Sequence, residues 1–147
     1  MVHRIIASAI FTGYFPFASG TFASLIALLI FLTPLPENYF LFGLFVILFL
    51  FLSIHPIKKF EAYYGHDPAE VTIDEWIGMW VSLFALPIDV VTVFTGFFLF
   101  RVLDVLKPYP AGFLNRKHGP LMVLLDDLIV AAYVNVFLRI AIHFGML

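Results

Sequence analysis

Two polar blocks divide this chain, and apolar runs fill the rest. The first run carries no charge over residues 5–36. A spanning helix needs about 20 apolar residues, but Gly13, Pro16 and Ser19-Gly20 interrupt this run. Proline removes a helix donor and glycine costs helix stability. The pattern therefore predicts a short interfacial or re-entrant piece over 5–14 and most of a first span over 22–32. The Pro-rich segment 33–38 reads as a turn, and 39–54 as the return helix. The first polar block covers 55–75. A short apolar segment, 76–86, follows; Pro87-Ile88-Asp89 is a tight turn, and 90–100 leads back. The second polar block covers 101–120. The last apolar run, 121–147, is interrupted by Asp126-Asp127 and Arg139. The expected fold is all-α: a small polytopic integral membrane bundle of about five to six helices, some short or re-entrant, forming one domain over 1–147.

Composition sharpens the class. Hydrophobic residues make up 63% of the 147 residues and charged ones 12%, where soluble domains carry roughly 25% charged. An ordinary water-soluble globule and a disordered chain are both excluded. The net charge of −2 offers no electrostatic case for a nucleic-acid partner. With no cysteine, disulfides, cysteine-zinc sites, Fe–S clusters and thiolate nucleophiles are excluded. The start, Met1-Val2-His3-Arg4, weakly imitates a signal peptide. A retained membrane segment is the more economical reading, because the apolar content simply continues. Lys58, Lys59, Lys107, Arg116 and Lys117 all fall in the polar blocks, while the turns near 34–38 and 87–89 carry no Lys or Arg. The positive-inside rule places the polar blocks in the cytoplasm. Arg139 then sits at or near the far end of the last helix, positioned to snorkel outward.

The carboxylates carry the chemistry. Asp74 and Glu75 begin the third span, Asp104 ends the fourth, and Asp126 and Asp127 lie one to two turns into the last. All five fall at the cytoplasmic ends of their helices, and ionisable groups within spans mark functional sites by default. Such a group of like charges needs either shared protons, as in a relay, or a hard divalent cation. Mg²⁺ favours a few carboxylates with waters and phosphate oxygens. Arg101, Asp104 and Lys107 are spaced i, i+3, i+6 near one helical face, which suits phosphate beside a metal. Simpler readings compete: Asp74-Glu75 as a helix N-terminal acidic pair, and the 101–107 residues as an interfacial salt-bridge ladder. Asp126-Asp127, flanked by apolar residues on both sides, resists a purely structural reading. Lys58 and Lys59 read as topology signals, His66 beside Asp67 as a solvated loop residue, and His3, His55 and His143 as structural or interfacial. His118 is a secondary site candidate. Gly78 suits close helix packing, and the tryptophans around it, Trp76 and Trp80, read as lipid-facing or belt residues.

These same residues carry a family resemblance. Asp74-Glu75-Trp76-Ile77-Gly78 resembles the D-E-x-x-G segment of the bacterial phosphatidylglycerophosphatase A family. Arg101 to Pro110 resembles its R-x-x-D-x-x-K-P-x-P segment, and Asp126-Asp127-Leu128-Ile129-Val130-Ala131 resembles its acid pair. Ser19-Gly20-Thr21-Phe22-Ala23-Ser24 resembles its P-G-T-x-G-S, with Ser19 in place of proline and Ala23 in place of the second glycine. The glycine-rich approach to the acid pair is reduced to His118-Gly119-Pro120. The resemblance implies a Mg²⁺-dependent membrane phosphatase that converts phosphatidylglycerophosphate to phosphatidylglycerol and phosphate in phospholipid biosynthesis. Its site would face the cytoplasm from the bacterial inner membrane.

On this reading Asp74, Glu75, Asp104, Asp126 and Asp127 hold metal, and Arg101 and Lys107 hold phosphate. Asp127, Glu75 and Asp104 are the catalytic candidates, with Thr21 and His118 as secondary ones. The nucleophile is water activated by metal or an aspartate directly. The competing function is a small proton-coupled transporter subunit with the carboxylates as its relay; a relay across the bilayer needs stations on both halves of the membrane. The sequence assigns no oligomeric state.

Overall fold

Apolar runs in lipid must satisfy their backbone groups internally, and helices do so. The computed structural model describes residues 2–147; Met1 lies outside them. Among the described residues there are seven α-helices and no strand. They are α1 (Val2–Ala7), α2 (Ser19–Phe31), α3 (Tyr39–Tyr64), α4 (Ile73–Ser82), α5 (Val90–Leu106), α6 (Ala111–Asn115) and α7 (Pro120–His143). Two of these, α3 and α7, are long and apolar enough to cross a membrane. The molecule is a small helical membrane bundle in which α2, α3, α5 and α7 surround α4. Large side chains such as Phe51, Phe94 and Phe98 are about two-thirds exposed (66%, 66% and 67%) and face where lipid would lie.

At the centre stands the shortest of the spanning-direction helices. With 10 residues, α4 is about 15 Å long, half the roughly 30 Å of a bilayer core. Its length is tolerated because protein surrounds it: α2, α3, α5 and α7 all pack against it. Ile73, Trp76, Ile77, Met79 and Trp80 are all buried in these contacts. Trp76 and Trp80, at 3% and 0% exposure, are therefore not lipid-facing as their composition suggested. Trp80 Nε1 donates to the Ala27 carbonyl of α2 at 2.9 Å. Between helices in lipid, close packing replaces the hydrophobic drive. A Cβ on Gly78 would lie 2.5 Å from the Phe100 ring, and one on Gly96 would lie 2.6 Å from Leu83.

Two helices run well past the ends that the sequence pattern predicts. The return helix α3 runs ten residues past the expected end, through Pro56, Lys58 and Lys59 to Tyr64. Ile57 and Phe60 are buried and continue the apolar face at i, i+3 spacing, so packing holds the helix although its outer face is polar. It stops at Gly65, whose φ is +95°. Likewise α5 continues through Arg101 and Asp104 to Leu106, where Lys107 turns left-handed at φ +42°. The N-terminal piece does not span. With six residues α1 is about 9 Å long, and the chain then reverses through Ala9, Ile10 and Phe11, all at positive φ. This segment lies on α3 and clamps the start of α4: Thr72 N donates to Ala7 O at 2.9 Å, and Thr12 and Thr72 hydroxyls meet at 3.0 Å.

Arg139 does more than reach for an interface. Its Nη2 donates to the carbonyls of Phe84 and Ala85 at 3.0 and 3.3 Å. One turn earlier on α7, Asn135 Nδ2 serves Val81, Ser82 and Phe84 carbonyls at 3.2, 3.1 and 3.0 Å. Together they close the C-terminal end of α4.

Candidate active site

Helix directions bring the starts of α2, α4 and α7 and the ends of α3 and α5 to one end of the bundle. A cavity of about 480 Å³ opens there, between the start of α2, the 67–71 loop, the first turn of α4, the last turn of α5 and Asp127. Asp74, Glu75, Asp104, Asp127, Arg101, Lys107 and Thr21 all line it.

The acids fall into two sets. One oxygen from each of Asp74, Glu75 and Asp127 lies within 4.8 Å of the others. Asp74 and Asp127 are 7% and 2% exposed. The other two are engaged by cations. Asp104 Oδ2 forms an ion pair with Arg101 Nη1 at 2.8 Å, one turn away on α5, and Asp104 Oδ1 lies 3.7 Å from Lys107 Nζ. Lys107 also pairs closely with Asp126 Oδ2 and lies 3.8 Å from Asp127 Oδ1. Adjacent residues on a helix point about 100° apart. Asp127 thus enters the cavity while Asp126 turns toward Lys107 and Asn115, whose Nδ2 donates to Asp126 at 2.9 Å.

Several buried polar atoms here have no partner among the described residues: Asp74 Oδ1, Glu75 Oε2, Asp126 Oδ1, Asp127 Oδ2 and Arg101 Nε. Buried polar atoms are normally satisfied, so this group asks for a ligand. Three carboxylates with unpartnered oxygens, drawn from two helices, form a donor set that a hard, oxygen-loving divalent cation fits.

The start of α2 closes the site from the side. A Cβ on Gly20 would strike the Glu75 carboxylate and come within 3.0 Å of Arg101 Nη2, so glycine lets both side chains sit where they do. Ser24 Oγ accepts from Arg101 Nη1 at 3.3 Å. Ser19, which departs from the family pattern, donates its hydroxyl to Ala69 O at 3.0 Å and ties α2 to the 67–71 loop.

His118 is not among the cavity residues. Its ring lies 4.7 Å from that of His66, in a cluster behind Asn115. His66 is no free loop residue: its side chain is 20% exposed, with Nδ1 at 2.9 Å from Glu61 Oε1 and Nε2 at 2.5 Å from Asn115 O. Both ring nitrogens face acceptors, which favours the charged form. Its pKa accordingly lies above the usual histidine value, first through the Asn115 carbonyl and then through Glu61. Sequence reasoning missed Asn115, which bridges Asp126 and, at 3.0 Å, Asp67. No motif contains it; the five-residue α6 brings it in. Ser24 and Gly20 did stand in the resembling N-terminal segment, and that segment was the signal for them.

Fold and site together define a class: a helical membrane protein with an acidic, cation-flanked cavity at one end of its bundle. The chain belongs to the phosphatidylglycerophosphatase A family, whose pattern matches residues 5–142. It is 34% identical over 131 residues to phosphatidylglycerophosphatase A of Escherichia coli, covering 86% of this chain and 75% of that protein. The Haemophilus influenzae phosphatidylglycerophosphatase A is 31% identical over 131 residues, covering 87% and 78%. A Bacteroides thetaiotaomicron protein, provisionally named a phosphatidylinositol-3-phosphatase, is 31% identical over 145 residues, covering 93% and 91%. No solved structure matches the chain significantly. The protein is thus a membrane phosphatase acting on a phosphate monoester. The transporter alternative finds no support: the buried carboxylates among the described residues gather at one end of the bundle, with none at the other.

Proposed function

We propose that the chain hydrolyses the phosphomonoester of phosphatidylglycerophosphate, releasing phosphatidylglycerol and inorganic phosphate, with Mg²⁺ held at the cavity. The observation that carries this reading is the meeting of three carboxylates bearing unpartnered oxygens with Arg101 and Lys107 in one cavity. Asp74, Glu75 and Asp127 would hold the metal, a narrower set than the five acids singled out in the sequence. A divalent cation, when bound, neutralises phosphoryl oxygens and acidifies water.

The chain's own residues do the rest. Arg101 and Lys107 take the phosphoryl oxygens, and Thr21 offers a hydroxyl at the rim. Asp104 holds both cations in place through its two oxygens, and Asp126 does so for Lys107. Water attacks phosphorus and the P–O bond to the glycerol oxygen breaks; the proton lost by water passes to Asp127 or Glu75, which hands it on to the departing glycerol oxygen. Lys58, Lys59, Lys107, Arg116 and Lys117 all belong to the polar segments at this end of the bundle, so the site would face the cytoplasm from the bacterial inner membrane.

Purified protein in detergent should release phosphate from phosphatidylglycerophosphate with Mg²⁺ and not with EDTA. Mg²⁺ should also raise the melting temperature by mass action, and Asp127→Asn should abolish that rise. Faster hydrolysis of phosphatidylinositol 3-phosphate in the same assay would overturn the substrate, and EDTA-insensitive turnover would overturn the metal.

A further inference from the structure

Two further cavities lie between the N-terminal segment and α3, and no residue of either lines the acidic site. The first, of about 410 Å³, is lined by His3, Arg4, Lys59, Phe60, Tyr63 and Tyr64. Lys59 Nζ donates to His3 Nε2 at 2.8 Å, but neither Arg4 nor Lys59 forms an ion pair among the described residues. This contrasts with Arg101 and Lys107, both held by carboxylates. Unpaired cations ringed by tyrosines, at the basic end of a membrane bundle, are suited to an anionic headgroup.

The second cavity, of about 240 Å³, is apolar and takes Ile5, Ile6, Ile10, Phe49, Leu52 and Trp76 into its wall. Phe49 and Leu52 precede Lys59 by ten and seven residues on α3, so the apolar cavity lies about 10–15 Å deeper along that helix. Trp76 is 3% exposed, and its indole N–H is buried without a partner. An apolar cavity beside an unsatisfied donor calls for an occupant that is mostly hydrocarbon and carries an acceptor.

We infer that the groove between the N-terminal segment and α3 binds an anionic diacyl phospholipid of the surrounding bilayer, separately from the phosphatase site. Its phosphodiester meets Arg4 and Lys59, one acyl chain fills the apolar cavity, and an ester oxygen accepts from Trp76 Nε1. Charge at the membrane end and hydrocarbon below it match the order of groups along such a lipid. The inference does not depend on which phosphomonoester the enzyme hydrolyses.

Trp76 and Trp80 are the only tryptophans, which makes the test optical. The protein is placed in phosphatidylcholine nanodiscs containing a small, fixed mole fraction of either brominated phosphatidylserine or brominated phosphatidylcholine. Bromine quenches tryptophan on contact, and phosphatidylserine is neither substrate nor product of the proposed reaction. The anionic lipid should quench more deeply. Trp76→Phe, which keeps Trp80, should remove that excess. Arg4→Glu with Lys59→Glu should bring the two lipids together, and the milder Arg4→Gln with Lys59→Gln should weaken anionic binding roughly fivefold per charge. Equal quenching by both lipids in the unaltered protein would overturn the site. So would an excess that survives charge reversal or loss of Trp76, or one that inorganic phosphate erases.

Discussion

The two ends of α4 are built on opposite plans. At its C-terminal end, Asn135 and Arg139 reach from α7 and take the carbonyls of Val81, Ser82, Phe84 and Ala85. Here the bundle satisfies itself. At the N-terminal end, 10 residues away, Asp74 and Glu75 enter a cavity with carboxylate oxygens that no protein group meets. On the function proposed above, the unsatisfied end holds metal and substrate, so its substitution should cost activity while substitution of the satisfied end costs stability.

The largest effect should follow Asp127→Asn. Removing one charge from the group of three acids should lower kcat by about 10²–10³-fold, the scale for one preorganised electrostatic group in a dry site. The melting temperature without metal should hold or rise, since like charges crowd there. Phosphate release and thermal unfolding in detergent measure the two; a parallel loss of activity and stability would erase the contrast between the ends.

Asn135→Ala is the mirror experiment. It strips a shared donor from three carbonyls and should destabilise the bundle by about 1–3 kcal/mol, with kcat per folded molecule unchanged. Denaturant titration alongside kinetics separates these. A smaller loss should follow Gly20→Ala. The added methyl pushes on the Glu75 carboxylate and on Arg101 Nη2, both ends of flexible side chains, so kcat/KM should fall about tenfold while the fold persists.

Much of this contrast was legible in the sequence, but unevenly. Asp74, Asp104 and Asp127, which all line the cavity, were singled out because each falls at or inside the end of an apolar segment, where a carboxylate is costly whatever the fold. The division of the five acids into two sets was not legible. It depends on the 100° step between Asp126 and Asp127 and on Asn115, which α6 delivers from outside every motif. Helix boundaries failed where polarity was taken for loop: Lys58 and Lys59 lie on the outer face of a helix whose inner face, Ile57 and Phe60, is still packed. The tryptophans failed for the opposite reason. Composition places Trp at an interface, but the shortness of α4 is what pulls Trp76 and Trp80 inside.

The smallest effect lies beside the open end, where His66 links the loop after α3 to α6. Its pKa is raised from 6.5 by the Asn115 carbonyl and by Glu61. A raised folded-state pKa means the protonated ring stabilises the fold. That contribution is full below about 6.5 and is lost as the pH climbs through the raised value. The melting temperature of the unaltered protein should therefore slope downward across the mildly alkaline range, and His66→Gln should flatten the slope without changing the Mg²⁺ response at fixed pH. Melting curves from pH 6 to 9 measure it. An identical slope in both proteins would mean that the His66 contacts do not set the alkaline limit of the fold.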